Sequence, residues 1–183
     1  EDVKRALADN SFNNSIYNIV PRVGHSATLK IQPDIGSNGL ERVKCKDIEV
    51  GDILYLRKGD LIPADILILV SSDASGVCYV STANLDGETN LKRLNAVSAQ
   101  TNAARKLDEV KDLKGVVACE KENPALYHFE GHLTMEGGDP IPADSSNLGL
   151  RGSRLRNTQY VYGIVVYAGY DTKEALNMRI PPY

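Results

Sequence analysis

Apolar residues come in short runs along this chain, each closed off by Gly, Pro, Asp or Asn. That is a strand pattern, because strand side chains alternate faces and a strand buried on both faces reads as an unbroken apolar run. Ile53-Leu54-Tyr55-Leu56, Ile66-Leu67-Ile68-Leu69-Val70 and Val77-Cys78-Tyr79-Val80 are the clearest cases. Ile19-Val20, residues 27–31, and residues 115–119, 126–129 and 132–135 predict further strands. Residues 158–167 alternate and predict a closing strand pair that bends near Gly163. Turns separate the runs at residues 32–39, at the acid-bounded Asp47 to Asp52 and at Lys58-Gly59-Asp60, and residues 136–149 read as a long irregular excursion.

Helical spacing is confined to three places. Residues 1–17 carry Val3, Leu7, Phe12 and Ile16 at near-helical intervals and then fray in an Asn- and Ser-rich stretch. Residues 101–113 offer Thr101 as a cap and Ala104, Leu107, Val110 and Leu113 as one apolar stripe. Residues 172–178 start a last helix before Pro181-Pro182. The sum is a mainly β domain of the sandwich or jelly-roll kind with a few peripheral and terminal helices.

Composition narrows the class. A chain of 183 residues with 42% hydrophobic and 25% charged residues can bury one core as a single domain. Its net charge of −3 offers no basic face for nucleic acid. No apolar run approaches a membrane span, and the opening Glu1-Asp2-Val3-Lys4-Arg5 has no signal-peptide character, so the expected setting is cytosolic. Cys45, Cys78 and Cys119 are odd in number, far apart and set in apolar runs, which predicts buried reduced thiols.

The stretch richest in chemistry is Asn84-Leu85-Asp86-Gly87-Glu88-Thr89-Asn90, which follows a strand and precedes Lys92-Arg93. Gly87 can take positive φ and Asp86 can bond its own backbone, so the chain reverses tightly and presents Glu88 at the tip of an exposed loop. A carboxylate held there can reach another domain and orient a water. Asp-Gly alone is also what a plain hairpin turn uses. Elsewhere His25, His128 and His132 lack metal-ligand spacing. Asp47, Glu49 and Asp52 lack the calcium-loop pattern and suit turn caps, and Arg151, Arg154 and Arg156 suit a contact surface or a solvated rim. Neither an Asp-Lys-Thr-Gly sequence nor a Gly-rich phosphate loop is present.

Asp-Gly-Glu-Thr within Asn-Leu-Asp-Gly-Glu-Thr-Asn-Leu-Lys has company in Pro63-Ala64-Asp65, Arg156-Asn157-Thr158 and Gly169-Tyr170-Asp171-Thr172-Lys173. This set resembles the actuator domain of P-type ATPases, and specifically of the phospholipid flippases, the P4-ATPases; ion pumps of that superfamily usually carry Thr-Gly-Glu there. The likeness runs nearly end to end, through Gly115, Cys119-Glu120, Asn123-Pro124, Leu126-Tyr127, Phe129 and Gly131. Ser81, Tyr160 and Tyr170 depart from the usual Glu, Trp and His. The resemblance implies a distorted jelly-roll actuator spanning residues 1–183, the cytosolic loop between the second and third membrane helices, with residues 1–17 and 171–183 as links to them. It implies that Glu88 accepts a proton from the water attacking an aspartyl phosphate, that Gly87 lets the backbone approach the phosphate, and that Asp86 and Thr89 fix the loop. It places ATP and Mg²⁺ in the full-length pump and no cofactor or metal in this domain. The implied partners are the phosphorylation and nucleotide domains of the same chain, a phospholipid reached through membrane helices, and room for an accessory β subunit. An ion-pump actuator and a non-catalytic β domain binding protein or sugar are the competing readings.

The isolated domain is therefore expected to fold as a monomer and to show no ATP hydrolysis. Robust Mg²⁺-dependent ATPase activity from pure protein, undiminished in Glu88→Ala, would overturn that reading.

Overall fold

The computed structural model describes residues 11–22 and 34–178. The chain runs through β1 (Ile16–Ile19), β2 (Glu41–Lys44), β3 (Ile53–Arg57), β4 (Asp65–Ser71) and β5 (Val77–Ser81). A single helical turn, α1 (Ala83–Asp86), interrupts the connection to β6 (Lys92–Asn95), and α2 (Ala99–Asn102) and α3 (Leu107–Lys111) follow. A meander of β7 (Gly115–Cys119), β8 (Gly131–Met135) and β9 (Pro140–Ala143) leads to β10 (Leu148–Gly149), β11 (Arg154–Arg156), β12 (Tyr160–Tyr167) and α4 (Lys173–Met178). Among the described residues three sheets result, with strand orders β10-β4-β12-β3-β1-β2, β11-β5-β6 and β7-β8-β9, and all their pairings are antiparallel.

The six-stranded sheet is the middle layer. Ile66 and Ile68 of β4 face one core with Cys78, Val80, Leu94 and Leu155 of the β11-β5-β6 sheet. Leu67 and Leu69 face a second core with Val110, Leu133 and Met135. Alternation thus sends neighbouring side chains of one strand into two different cores, which is why β4 reads as a solid apolar run with no polar face. All seven of its residues are buried.

The first residue of that strand is a carboxylate. Asp65 is fully buried, and its two oxygens accept the backbone N–H groups of Arg151 at 2.9 Å and Lys173 at 2.8 Å. One side chain thereby ties the head of β4 to the turn before β11 and to the start of α4. Lys173 is buried as well; its ammonium donates to Asn123 Oδ1 at 2.9 Å, lies 3.8 Å from Glu120 Oε1, and is pulled below the ordinary lysine range by burial.

Several elements differ from the sequence expectation. Residues 101–113 do not form one helix. The Ser98 hydroxyl accepts the N–H groups of Gln100 and Thr101 and starts α2 earlier, while Thr101 is buried and donates its hydroxyl to Ser98 O. Glu109 then accepts the N–H groups of Arg105 at 2.6 Å and Lys106 at 2.9 Å and restarts the helix as α3. Residues 126–129 form no strand but follow a turn in which Asn123 Oδ1 accepts the Ala125 N–H. Residues 136–149 are more ordered than an excursion: they contain β9, a short 3₁₀ turn capped by Asp144, and β10. Pro140 and Pro142 hide β9 in the sequence, and they are tolerated because β9 is an edge strand.

Residues 160–167 make one unbroken strand, not a pair. Gly163 sits at a register shift against β4, where an added Cβ would lie 2.6 Å from Ile66 Cδ1. Close approach, not a turn, requires that glycine. At the start of the chain β1 is already under way at Ile16, where the helical pattern still ran. Cys45 and Cys78 are buried free thiols, but Cys119 is exposed. The strand expected at residues 27–31, His25 and residues 1–10 lie outside the described residues.

Burial raises Asp65 from 3.8 to about 6, against the pull of its two N–H bonds. A carboxyl that holds its proton more tightly when folded adds stability below the unfolded value and loses it as pH rises through the folded one. The stability advantage of the unsubstituted domain over Asp65→Asn is therefore expected to shrink between about pH 4 and pH 7, by up to about 3 kcal/mol. Urea unfolding at both pH values checks this; an advantage that grows with pH contradicts it.

Candidate functional site

The connection between β5 and β6 is built to hold its tip still. The α1 turn ends at Gly87, which takes φ 73° and donates its N–H to Ala83 O at 3.0 Å. That left-handed conformation is cheap only for glycine. An added Cβ there would meet nothing within 4 Å, so the backbone at Gly87 is open to an approaching group. Leu85 and Asn84 seat the turn against Gly152, where a Cβ would come within 2.9 Å of Leu85 Cδ2 and whose carbonyl accepts from Asn84 Nδ2 at 3.5 Å.

Asp86 is the brace. Its Oδ1 accepts the Glu88 N–H at 2.9 Å and the Thr82 hydroxyl at 3.0 Å. Its Oδ2 accepts the Lys92 ammonium at 2.9 Å and the Tyr127 hydroxyl. Those donors, Tyr127 first and Lys92 next, hold the Asp86 carboxyl far below the ordinary carboxylate range. A carboxylate so fully engaged fixes geometry and has no lone pair left for a reacting proton.

Glu88 differs in every respect. Its side chain is 60% exposed, and among the described residues its carboxylate meets only the Lys92 ammonium, at 3.4 Å. Thr89 and Asn90 are exposed beside it. Lys92 packs its ammonium over the Tyr127 ring, 3.6 Å from the centroid. Burial alone would lower Lys92, but bonds to Tyr127 and Asp86 outweigh it and hold the group charged. A cavity of about 340 Å³ opens beside this cluster, lined by Thr82, Lys92, Tyr127 and Ser153 among others.

The other candidate residues serve the frame. Arg151 donates to Gly169 O and lies 3.5 Å from Glu174, and Arg154 donates to Gly59 O at 2.6 Å. Arg156 is exposed, and Asn157, at φ 49°, turns the chain from β11 into β12. Thr158 Oγ1 accepts the Tyr79 N–H and donates to Arg156 O, locking that turn to β5. Asp52 pairs with Arg22 at 2.7 Å and accepts the Glu49 N–H, a turn cap as expected. Glu120, His128 and Glu130 bring one donor atom each within 4.8 Å of one another. The buried Glu120 oxygen, however, faces the Lys173 ammonium, and His128 and Glu130 are exposed. Sequence reasoning places Tyr127 only in the resemblance pattern and an expected strand, not at this loop: it lies on an irregular turn, 41 residues from the Asp86 carboxylate it bonds.

Residues 30–122, the part that holds the braced loop and β2 to β7, match the P-type ATPase actuator domain family, just over half of the chain. The chain belongs to that family. Three proteins of Arabidopsis thaliana illustrate the likeness. The actuator domain is 48% identical over 141 residues to probable phospholipid-transporting ATPase 4, 42% over 153 residues to probable phospholipid-transporting ATPase 11, and 46% over 147 residues to phospholipid-transporting ATPase 6. Those alignments cover 77, 84 and 80% of the actuator domain. It spans only 11 to 13% of the length of these relatives. Among the described residues no helix is long and apolar enough to cross a membrane.

Asp86→Ala is expected to free the Glu88 N–H and to raise its hydrogen-exchange rate by about 10–100-fold, since a bond to a charged group is worth about 1.5–3 kcal/mol. Amide exchange read by NMR checks this. Unchanged protection at Glu88 would show that the loop is held by something other than Asp86.

Proposed function

We propose that this actuator domain serves a phospholipid-translocating P-type ATPase and that its Asp86-Gly87-Glu88-Thr89 loop hydrolyses the aspartyl-phosphate intermediate. The observation that carries the reading is the division of labour between two adjacent acids: Asp86 is saturated with donors, and Glu88 is held out toward solvent with one cation beside it. A general base must be geometrically fixed yet free to take a proton, and Glu88 meets both conditions. The likeness to the named phospholipid-transporting ATPases supplies the substrate class.

In this reading the phosphorylated Asp, the nucleotide and Mg²⁺ belong to the phosphorylation and nucleotide domains of the same pump. When the loop docks on that Asp, the open backbone at Gly87 admits the phosphate without steric conflict. Glu88 accepts a proton as water oxygen bonds to phosphorus and the acyl oxygen–phosphorus bond breaks. The products are a free Asp carboxylate and inorganic phosphate, and Glu88 leaves protonated. Thr89 flanks the water site. The domain acts at the cytosolic face of its membrane, and its return movement carries the membrane helices that move lipid to the cytosolic leaflet. Head-group choice and any accessory β subunit reside outside this chain.

Glu88→Gln in the full-length pump preserves size and hydrogen-bonding shape but not the proton acceptor. General-base assistance is typically worth about 10²–10⁴-fold, so phosphoenzyme decay is expected to slow by that order while phosphorylation from ATP continues. The variant therefore accumulates phosphoenzyme and moves almost no lipid. Acid-stable phosphate on the protein, measured beside steady-state ATPase, decides: lost turnover without phosphoenzyme places Glu88 earlier in the cycle, and normal turnover reduces the loop to a surface turn.

A further inference from the structure

We propose that Tyr127 and Lys92 are positioning residues for Glu88: the Tyr127 side chain fixes the Lys92 ammonium, and the ammonium fixes the Glu88 carboxylate. The inference rests on the dephosphorylation reading above and adds two residues to it.

The geometry is a relay of contacts. The Tyr127 ring lies under the Lys92 ammonium at 3.6 Å, and its hydroxyl donates to Asp86 Oδ2. The same Asp86 oxygen accepts Lys92 Nζ at 2.9 Å. The ammonium is thus held from below by an aromatic face and from the side by a carboxylate. Its remaining reach goes to Glu88 Oε2, 3.4 Å away. The Lys92 side chain is the most sheltered of the three groups, 27% exposed against 48% for Tyr127 and 60% for the Glu88 side chain. The ammonium has two partners besides Glu88, whereas the Glu88 carboxylate meets only the ammonium among the described residues.

Glu88 needs such a support. A glutamate has three side-chain torsions, and on a solvent-facing tip nothing but a partner restrains them. Asp86 bonds the Glu88 backbone N–H and so fixes the loop, not the carboxylate. Lys92 lies four residues on, at the head of β6, so its backbone is anchored in the sheet while its ammonium reaches back to the loop. Tyr127 comes from the connection between β7 and β8, which gives that otherwise irregular segment a task in the site. Misplacing a catalytic group by about 1 Å can cost about 100-fold in rate, so loss of the relay should be felt in the chemical step.

The test uses the full-length pump and follows phosphoenzyme formation and decay separately. Tyr127→Ala, which removes both ring and hydroxyl, is expected to slow decay by about 10–100-fold and to leave formation unchanged. Tyr127→Phe keeps the ring under Lys92 and should restore decay to within about fivefold of the unsubstituted pump. Lys92→Met retains an unbranched chain on the ring but no charge, and should slow decay as Tyr127→Ala does. Because all act through one carboxylate, adding Tyr127→Ala to Glu88→Gln should cause no further loss, whereas an independent structural effect would multiply. Normal decay in Lys92→Met, or multiplication of the Glu88→Gln defect, overturns the proposal even if Tyr127→Ala fails to fold. If Glu88→Gln is slow and Tyr127→Ala is normal, only this inference falls. If Glu88→Gln itself decays normally, the dephosphorylation reading falls and takes this one with it.

Discussion

The architecture depends on β4 being buried on both faces. A strand with no solvent side must send alternate residues into two cores, and Ile66 and Ile68 do so on one side while Leu67 and Leu69 do so on the other. The two flanking sheets share no strand pairing with this layer or with each other, and they pack on its opposite faces. Asp65 then fixes the head of the strand by accepting two backbone N–H groups from segments 86 and 108 residues away. Burying a carboxylate is unfavourable, which its raised affinity for a proton records, and the N–H bonds offset that cost only in part. What the bonds add is register: the turn before β11 and the first turn of α4 can each dock in one place.

That rigid frame is what lets the loop after β5 be exposed without being slack. β5 and β6 pair over Val77 to Val80 and Lys92 to Asn95, so the loop leaves and rejoins a fixed hairpin. Leu85 and Asn84 press its first turn onto Gly152, on the segment that Asp65 holds through Arg151. Rigidity therefore passes from the central strand to the turn before β11, then to α1, and then through Asp86 to the backbone of Glu88. The Glu88 carboxylate lies at the end of this chain of support, where among the described residues it meets only the Lys92 ammonium.

How much of this the sequence discloses depends on whether a feature is local. The β4 run, the Asp86-Gly87 reversal and the helix at residues 172–178 are written in neighbouring residues, and the structure has them where periodicity and glycine chemistry put them. Strand β9 was hidden because Pro140 and Pro142 ordinarily argue against a strand, and only its edge position makes them acceptable. Residues 101–113 break into two turns where the apolar stripe predicts one helix, because the stripe says nothing about Glu109 turning back to bond the N–H groups of Arg105 and Lys106. The tasks of Tyr127 and Lys173 are not legible in the sequence for one common reason: each matters through a partner at least 41 residues away.

The scattered motifs sort by the same rule. Pro63-Ala64-Asp65 and Asp171-Thr172-Lys173 meet at the Asp65 carboxylate, and Arg156-Asn157-Thr158 locks the turn from β11 to β12 onto Tyr79 of β5. Asp86-Gly87-Glu88-Thr89 instead stands on an exposed loop, with the Glu88 side chain 60% exposed. Three of the four motifs therefore hold the frame, and the fourth is what the frame presents. For the proposed pump this matters mechanically. The Lys173 N–H is bonded to the head of the central strand, so α4 is tied directly to β4. In that proposal, a displacement of the loop on docking would reach α4 through Asp86, the contact of Leu85 and Asn84 with Gly152, and the Asp65 bonds to Arg151 and Lys173.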